Sequence, residues 1–375
     1  MSTPPDLNLL LYYCTVYHIS TSEVILSCLR CVSRDSSALG CSPRHSSLSL
    51  GGTTSRKTHV VMSVTLASAS MRSAKLVAKD MVVGTLLACA VAPAIRAAAD
   101  VGAHVYGLSD RAMWVILMCA NHLVCNLLFA MPFIVCDTFG WMQKFKMHRK
   151  KAEVPSDSLM RRLWAETALG QFVTSPIAAW VLYPLTKKLG AADIAAPLPA
   201  SLWDIAVVMA AAHLFNDVGF YSTHRLLHAS PFLYRTIHKK HHSWKGTVAP
   251  AAEYAHPLET IISNQFPTLG GAIFLGAHPV LLCAWVAIRL QRTYEAHSGY
   301  CLRGTPLLDF LNVLGIVDSE EAVVHDFHHT VNTGCYGLQL LDYTLGTMTS
   351  FEQGGGEAGY LRKHGHFTAS STGKM

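Results

Sequence analysis

Charge is what this 375-residue chain has least of: Asp, Glu, Lys and Arg make up 14% of it, against 51% hydrophobic residues. An ordinary soluble domain carries about a quarter of its residues as charges, so the composition argues against one, and the positive mean hydropathy agrees. No basic stripe interleaved with aromatics and no recognition-helix pattern is present, so the net charge of +6 does not point to nucleic acid. A phosphate-cradling glycine loop, a dinucleotide fingerprint and a nucleophile elbow are also missing. The eleven cysteines include one C-x-x-C, Cys28 to Cys31, with neither a second pair nor histidines at finger spacing. They read as reduced thiols packed as small hydrophobes.

What is present in their place is apolar length. Runs near the roughly twenty residues that cross a bilayer occur at Met81–Ile95 (short, with Pro93), Met113–Val135, Trp164–Leu185 and Leu202–Tyr221. A further run, Ile261–Leu290, is interrupted by Gly276-Ala-His-Pro279, a turn signal, and predicts a hairpin of two short arms. The loop after the second run holds Lys144, Lys146, Arg149, Lys150, Lys151, Arg161 and Arg162. By the positive-inside rule that loop is cytoplasmic, and four crossings return the chain to the same side at residue 224. Residues 1–76 are rich in Ser and Thr and show no sustained period. They read as a disordered leader, or as an over-long start ahead of Met62 or Met71. Spans are expected over 77–222, a catalytic region over 223–350 and a tail over 351–375.

Histidine supplies the chemistry. Eleven of twenty fall between His224 and His329, in three clusters: His224-Arg-Leu-Leu-His228, His238-Lys-Lys-His241-His242 and His325-Asp-Phe-His328-His329. Residues three and four apart share a helical face, so each cluster is expected to present two or three imidazoles to one point. Eight nitrogens are too many for one ion and suit two. Imidazole takes iron, zinc, copper or nickel, and spacing does not choose among them. Two redox metals at the mouth of a membrane bundle suggest oxygen activation against a C–H bond. Rival readings are a metal-binding transporter or receptor, and a zinc hydrolase of lipid amides.

Around the clusters, Asp217 lies seven residues before His224, on the same face, and is expected to orient that imidazole. His297 is a candidate ninth ligand. For His256 a place near the metals and a hydrogen-bonded core role are both open. Asp326 points about 100° away from its neighbours on a helix, which disfavours ligation. His213 and His278 read as structural, and His122, His148, His364 and His366 carry no pattern. Arg235, Lys239, Lys240 and Lys245 would attract either an acidic electron carrier or lipid headgroups.

The three clusters in order, with Ala252-Glu-Tyr-Ala-His-Pro-Leu-Glu259 and His297-Ser-Gly-Tyr300, resemble the fatty acid hydroxylase/sterol desaturase superfamily over about residues 200–350. Within it they are most similar to the C4-methylsterol monooxygenases of the endoplasmic reticulum. The resemblance implies an all-α membrane bundle with a cytosolic histidine-rich cap. It implies metal ligands at His224, His228, His238, His241, His242, His325, His328 and His329, with His297 plausible, and two irons. It also implies stepwise oxidation of a sterol C4 methyl to the carboxylate, with electrons from NAD(P)H through cytochrome b5 or a related carrier. A sterol C5-desaturase or fatty acyl hydroxylase is the alternative within the superfamily. No His-Pro-Gly-Gly haem signature occurs, so the carrier is a separate protein. Three positions depart from the family pattern: Val324 replaces a histidine, Cys335 an asparagine and Leu341 a tryptophan.

Overall fold

The computed structural model describes residues 54–147, 154–337 and 339–364, with side chains from Leu66 onward. The body discussed below belongs to the unit that begins at His59. Cys28 and Cys31, His148 and His366 lie outside the described residues.

Among those residues the protein is all-α, with a single isolated bridge, Lys146 to Tyr300, in place of any sheet. Four helices are long and apolar enough to cross a membrane: α1, whose span is Leu66–His104, α2 (Asp110–Phe139), α3 (Asp157–Lys188) and α4 (Leu202–Ala229). Side-chain oxygens of Ser109, Ser156 and Ser201 accept backbone N–H bonds at the starts of the last three, satisfying donors that a helix start leaves bare. The helix of α1 begins at Thr54, so the boundary expected at residue 76 falls inside a helix, and the short run at 81–95 is only its middle. α4 also outruns its expected end at Tyr221. After Tyr221 no glycine or proline occurs before Pro231, so His224 and His228 ride on the last turns of the helix.

Proline shapes the long helices. Wide π turns at Asn126–Ala130, Gly170–Thr174 and Thr260–Gln265 each precede a proline by two residues: Pro132, Pro176 and Pro267. A proline ring clashes with the carbonyl four residues back and has no N–H to give it, and a local widening relieves both.

The expected hairpin is present. Its first arm, α5, runs over 257–274, and its second, α6, is Pro279–His297. Gly276, with φ at +68°, makes the turn. The hairpin lies inside the bundle: Ala272, Ile273, Val280, Leu281, Leu282 and Trp285 form the main core with Met209 and Ala212 of α4. Outward faces of the spans carry exposed Leu86, Leu128, Phe172 and Val181, as a lipid-facing surface requires.

Contacts fix the two ends. The hairpin turn meets the α3–α4 loop through Ala192 to Ala277 and His278 to Ile194, and Arg96 reaches Ala196 there. At the opposite end Lys79 reaches Gly315 and Lys146 reaches Asp137. All three histidine clusters gather at this second end, which also carries Lys144 and Lys146. It is capped by α7 (Pro306–Val313), α8 (Ser319–Val331) and three further short helices up to His364.

Candidate metal centre

α4 delivers His224 and His228 one turn apart. The second cluster is a 3-10 turn, His238–Ser243, and the third rides on α8, started by the Asp318 cap. The nine candidate histidines form two groups, His224, His228, His238, His242 and His328, and His241, His297, His325 and His329. The expectation that each cluster serves one point is therefore corrected: the second and third are split between the groups. In the tight 3-10 turn the adjacent His241 and His242 leave the backbone about a third of a turn apart, and they reach different groups. On α8, His325 and His329 are a full turn apart and share a group, while His328 turns to the other.

The outer nitrogens determine what the inner ones can do. Nδ1 of His224, His297, His328 and His329 faces the backbone carbonyls of Tyr336, Thr293, Gly334 and Trp244, at 2.7 to 2.9 Å. A carbonyl only accepts, so Nδ1 donates and Nε2 is left as a lone pair. His238 makes the corresponding contact to Glu259 Oε1 at 2.8 Å. The Nε2 atoms then crowd together: His224 to His238 at 3.1 Å, His242 to His238 at 3.0 Å and to His328 at 3.2 Å. In the other group His325 lies 2.9 Å from His297 and 3.1 Å from His329. Where both facing nitrogens carry lone pairs, they repel unless a cation lies among them. Two imidazoles at right angles around an ion, each about 2.1 Å from it, are about 3.0 Å apart, so the residues fit a metal in each group.

Electrostatics agree with that fit. Burial holds His297 at about 4 and His328 at about 3, and pushes His241, His242, His325 and His329 far below the usual imidazole range. Neutral rings are what a metal needs.

Of the supporting residues, Asp217 departs from expectation, and His256, left open between two roles, takes the hydrogen-bonded one. Asp217 does not orient His224, whose Nδ1 is taken by Tyr336. Its carboxylate lies 2.9 Å from Nε2 of His213 instead. His256 stands apart from both groups, with Nδ1 accepting the Leu258 N–H at the start of α5. The carboxylate that does back a ring, Glu259, went unread because nothing in its spacing ties it to His238. Asp326 is buried outside the groups and accepts from Tyr360 at 2.7 Å. His213 sits between Asp80 and Asp217, His278 caps α6, and His122 lies beside Gln171 and Glu253.

A cavity of about 360 Å³ reaches this centre from within the bundle, inside the range of about 300–1,000 Å³ usual for small-molecule sites. His224, His238, His297 and His325 line one end, and Trp114, Met118, Leu182 and Leu269 line part of its length.

Residues 209–347 match the fatty acid hydroxylase family model. The methylsterol monooxygenase erg25B of Aspergillus fumigatus is 31% identical over 58% of this chain and 72% of its own length. The chain belongs to the fatty acid hydroxylase/sterol desaturase superfamily. Other relatives in it are fatty acid hydroxylase domain-containing protein 2 of Macaca fascicularis, 33% identical over 59% of this chain, and fatty acid hydroxylase ahd1 of Mycosarcoma maydis, 31% identical over 64%. The alignments span 62% and 57% of those two relatives. No solved structure matches. Two of the three departures from the superfamily pattern fall outside the histidine groups and pack in the apolar core beside them. Val324 is buried among Met147, Phe327 and Met348, and Cys335 turns its sulfur to Met348.

Proposed function

We propose that this chain is a C4-methylsterol monooxygenase that oxidises a sterol C4 methyl stepwise to the carboxylate with dioxygen. The observation that carries the reading is the convergence of nine imidazole nitrogens in two groups at the end of a largely apolar cavity. His224, His228, His238, His242 and His328 would hold one iron, and His241, His297, His325 and His329 the other. Iron, when bound, supplies the activation of dioxygen. The chain's own part is to fix the rings of His224, His238, His297, His328 and His329 through their outer nitrogens, keep the rings neutral, and seat an apolar substrate against them.

Electrons come from NAD(P)H through cytochrome b5 or a related carrier. Exposed Arg235, Lys239 and Lys245 beside the second cluster offer such an acidic partner a landing patch. Lys240 is less available, being paired with Glu166 and set over Tyr254. Lys144, Lys146, Arg161 and Arg162 share the histidine end, which supports a cytosolic centre in an endoplasmic reticulum membrane. Expression in a strain lacking its own C4 demethylation tests the function: 4,4-dimethylsterol should fall, and its persistence would overturn the reading.

A fatty acyl hydroxylase is a second reading, favoured by charge in the cavity wall at Arg289 and Arg292. A sterol skeleton gives such groups little to bind. Metal and oxygen-uptake measurements on the purified protein apply to both readings, and tightly bound zinc without oxygen use would refute both.

A further inference from the structure

Arg289 stands eight residues before His297 on α6, roughly 12 Å along the helix at 1.5 Å per residue. It lines the cavity. Its Nε is buried without a hydrogen-bond partner, and among the described residues no carboxylate is within ion-pair distance. The nearby acids are already engaged. Asp80 accepts from Arg292 at 2.7 Å and from His213 at 2.6 Å. Asp217 is 2.9 Å from the other nitrogen of His213 and accepts from Asn216 at 3.0 Å. Asp318 and Glu321 turn to Arg72.

An arginine inside a membrane bundle is costly to leave unmatched, and its planar fork suits the two oxygens of one carboxylate. Arg292, less than a turn away, shows what a structural pairing looks like here, and Arg289 has none. We infer that Arg289 is the subsite for a lipid carboxylate. Two sources share that chemistry: the acid end of a fatty acyl chain, and the acid formed when a sterol methyl is fully oxidised. The inference rests on the lipid-oxidising reading of the metal centre and adds a specificity-determining residue to it.

The test measures binding apart from turnover, on full-length protein with its metal in lipid nanodiscs. The probes are hexadecanoate and its methyl ester, and a 4-carboxysterol and the matching 4-hydroxymethylsterol. At least one acid should bind about tenfold or more tighter than its neutral counterpart. Arg289→Gln should abolish that preference at unchanged metal content, and Arg289→Lys, which keeps the charge but not the fork, should retain part of it. A preference confined to the first pair assigns the subsite to fatty acyl chains, and one confined to the second assigns it to oxidised sterols. Equal binding of acid and neutral probes by the wild type, or an undiminished preference in either variant, overturns the inference. If Arg289→Gln fails to fold, Arg289→Lys and the wild-type ratio decide. An intact acid preference without oxygen consumption on any probe would refute the oxidase reading and leave the subsite standing.

Discussion

Glu259 backs His238 with Oε1 2.8 Å from Nδ1, while Nε2 of the same ring lies 3.1 Å from His224. The carboxylate and the inner nitrogens thus act through one ring. Burial pushes the Glu259 carboxyl up to about 8, so without metal the pair shares a proton. A cation at Nε2 favours the arrangement in which Nδ1 donates to an ionised carboxylate. Glu259→Ala should weaken metal retention by about 10- to 100-fold, and Glu259→Gln, whose amide oxygen still accepts, by less. Metal per chain after dialysis against a graded chelator reads this out, and full retention in both variants would contradict it.

The metal centre is largely legible in the sequence because its ligands come in local pairs. His224 and His228, or His325 and His329, are one helical turn apart, so spacing alone puts their rings on one face. Its supports are not legible, because they act between elements remote in sequence. Asp217 shows a different difficulty: His213, four residues before it, and His224, seven after, share its helical face, and spacing does not choose between them. The split of the second cluster was equally hidden, since H-x-x-H-H does not distinguish an α turn from a 3-10 turn. The four spans are readable from apolar length, whereas burial of the hairpin inside them depends on glycine contacts that composition does not show.

Acid should undo the metal-free centre before it undoes the rest of the fold. The unfolded chain protonates its imidazoles near 6.5, whereas the folded His297 and His328 resist until about 4 and 3. Below 6.5 the unfolded state therefore binds more protons, and stability falls as pH falls. Above that value these rings are neutral in both states and contribute no slope. Glu259 opposes the trend with a single proton between its ordinary 4.5 and about 8. Chelator-treated protein should lose thermal stability from about pH 6.5 down to about pH 4, and metal-loaded protein should release metal in the same range. A thermal midpoint flat across that window would be inconsistent with buried, neutral rings.

Restoring the family histidine at position 324 should not extend the metal centre. Val324 is 1% exposed and packs among Met147, Phe327 and Met348, although it stands one helical turn before His328. Val324→His would bury an imidazole among apolar groups, at a cost of about 1–3 kcal/mol. Thermal unfolding should show the loss while metal stoichiometry stays unchanged. A gain in bound metal would mean that α8 can turn this face toward the centre.

The hairpin sits close to α4 because glycine allows it, and the centre depends on that approach. A Cβ on Gly271 would lie 2.6 Å from Cβ of Phe215 and 3.1 Å from the carbonyl oxygen of Ala211. Neither can yield without moving the α4 backbone. Gly271→Ala should therefore cost about 1–3 kcal/mol. The damage should also reach the metals: α4 ends in His224 and His228 of one group, whereas α6 ends in His297 of the other, so parting hairpin and helix separates the two halves. Gly170→Ala is the control, since a Cβ there meets nothing within 4 Å and alanine is the better helix former. Loss of both stability and metal in Gly271→Ala, beside an unchanged Gly170→Ala, is the expected pair of results. Equal behaviour of the two variants would mean that the spacing of α4 and the hairpin does not govern the centre.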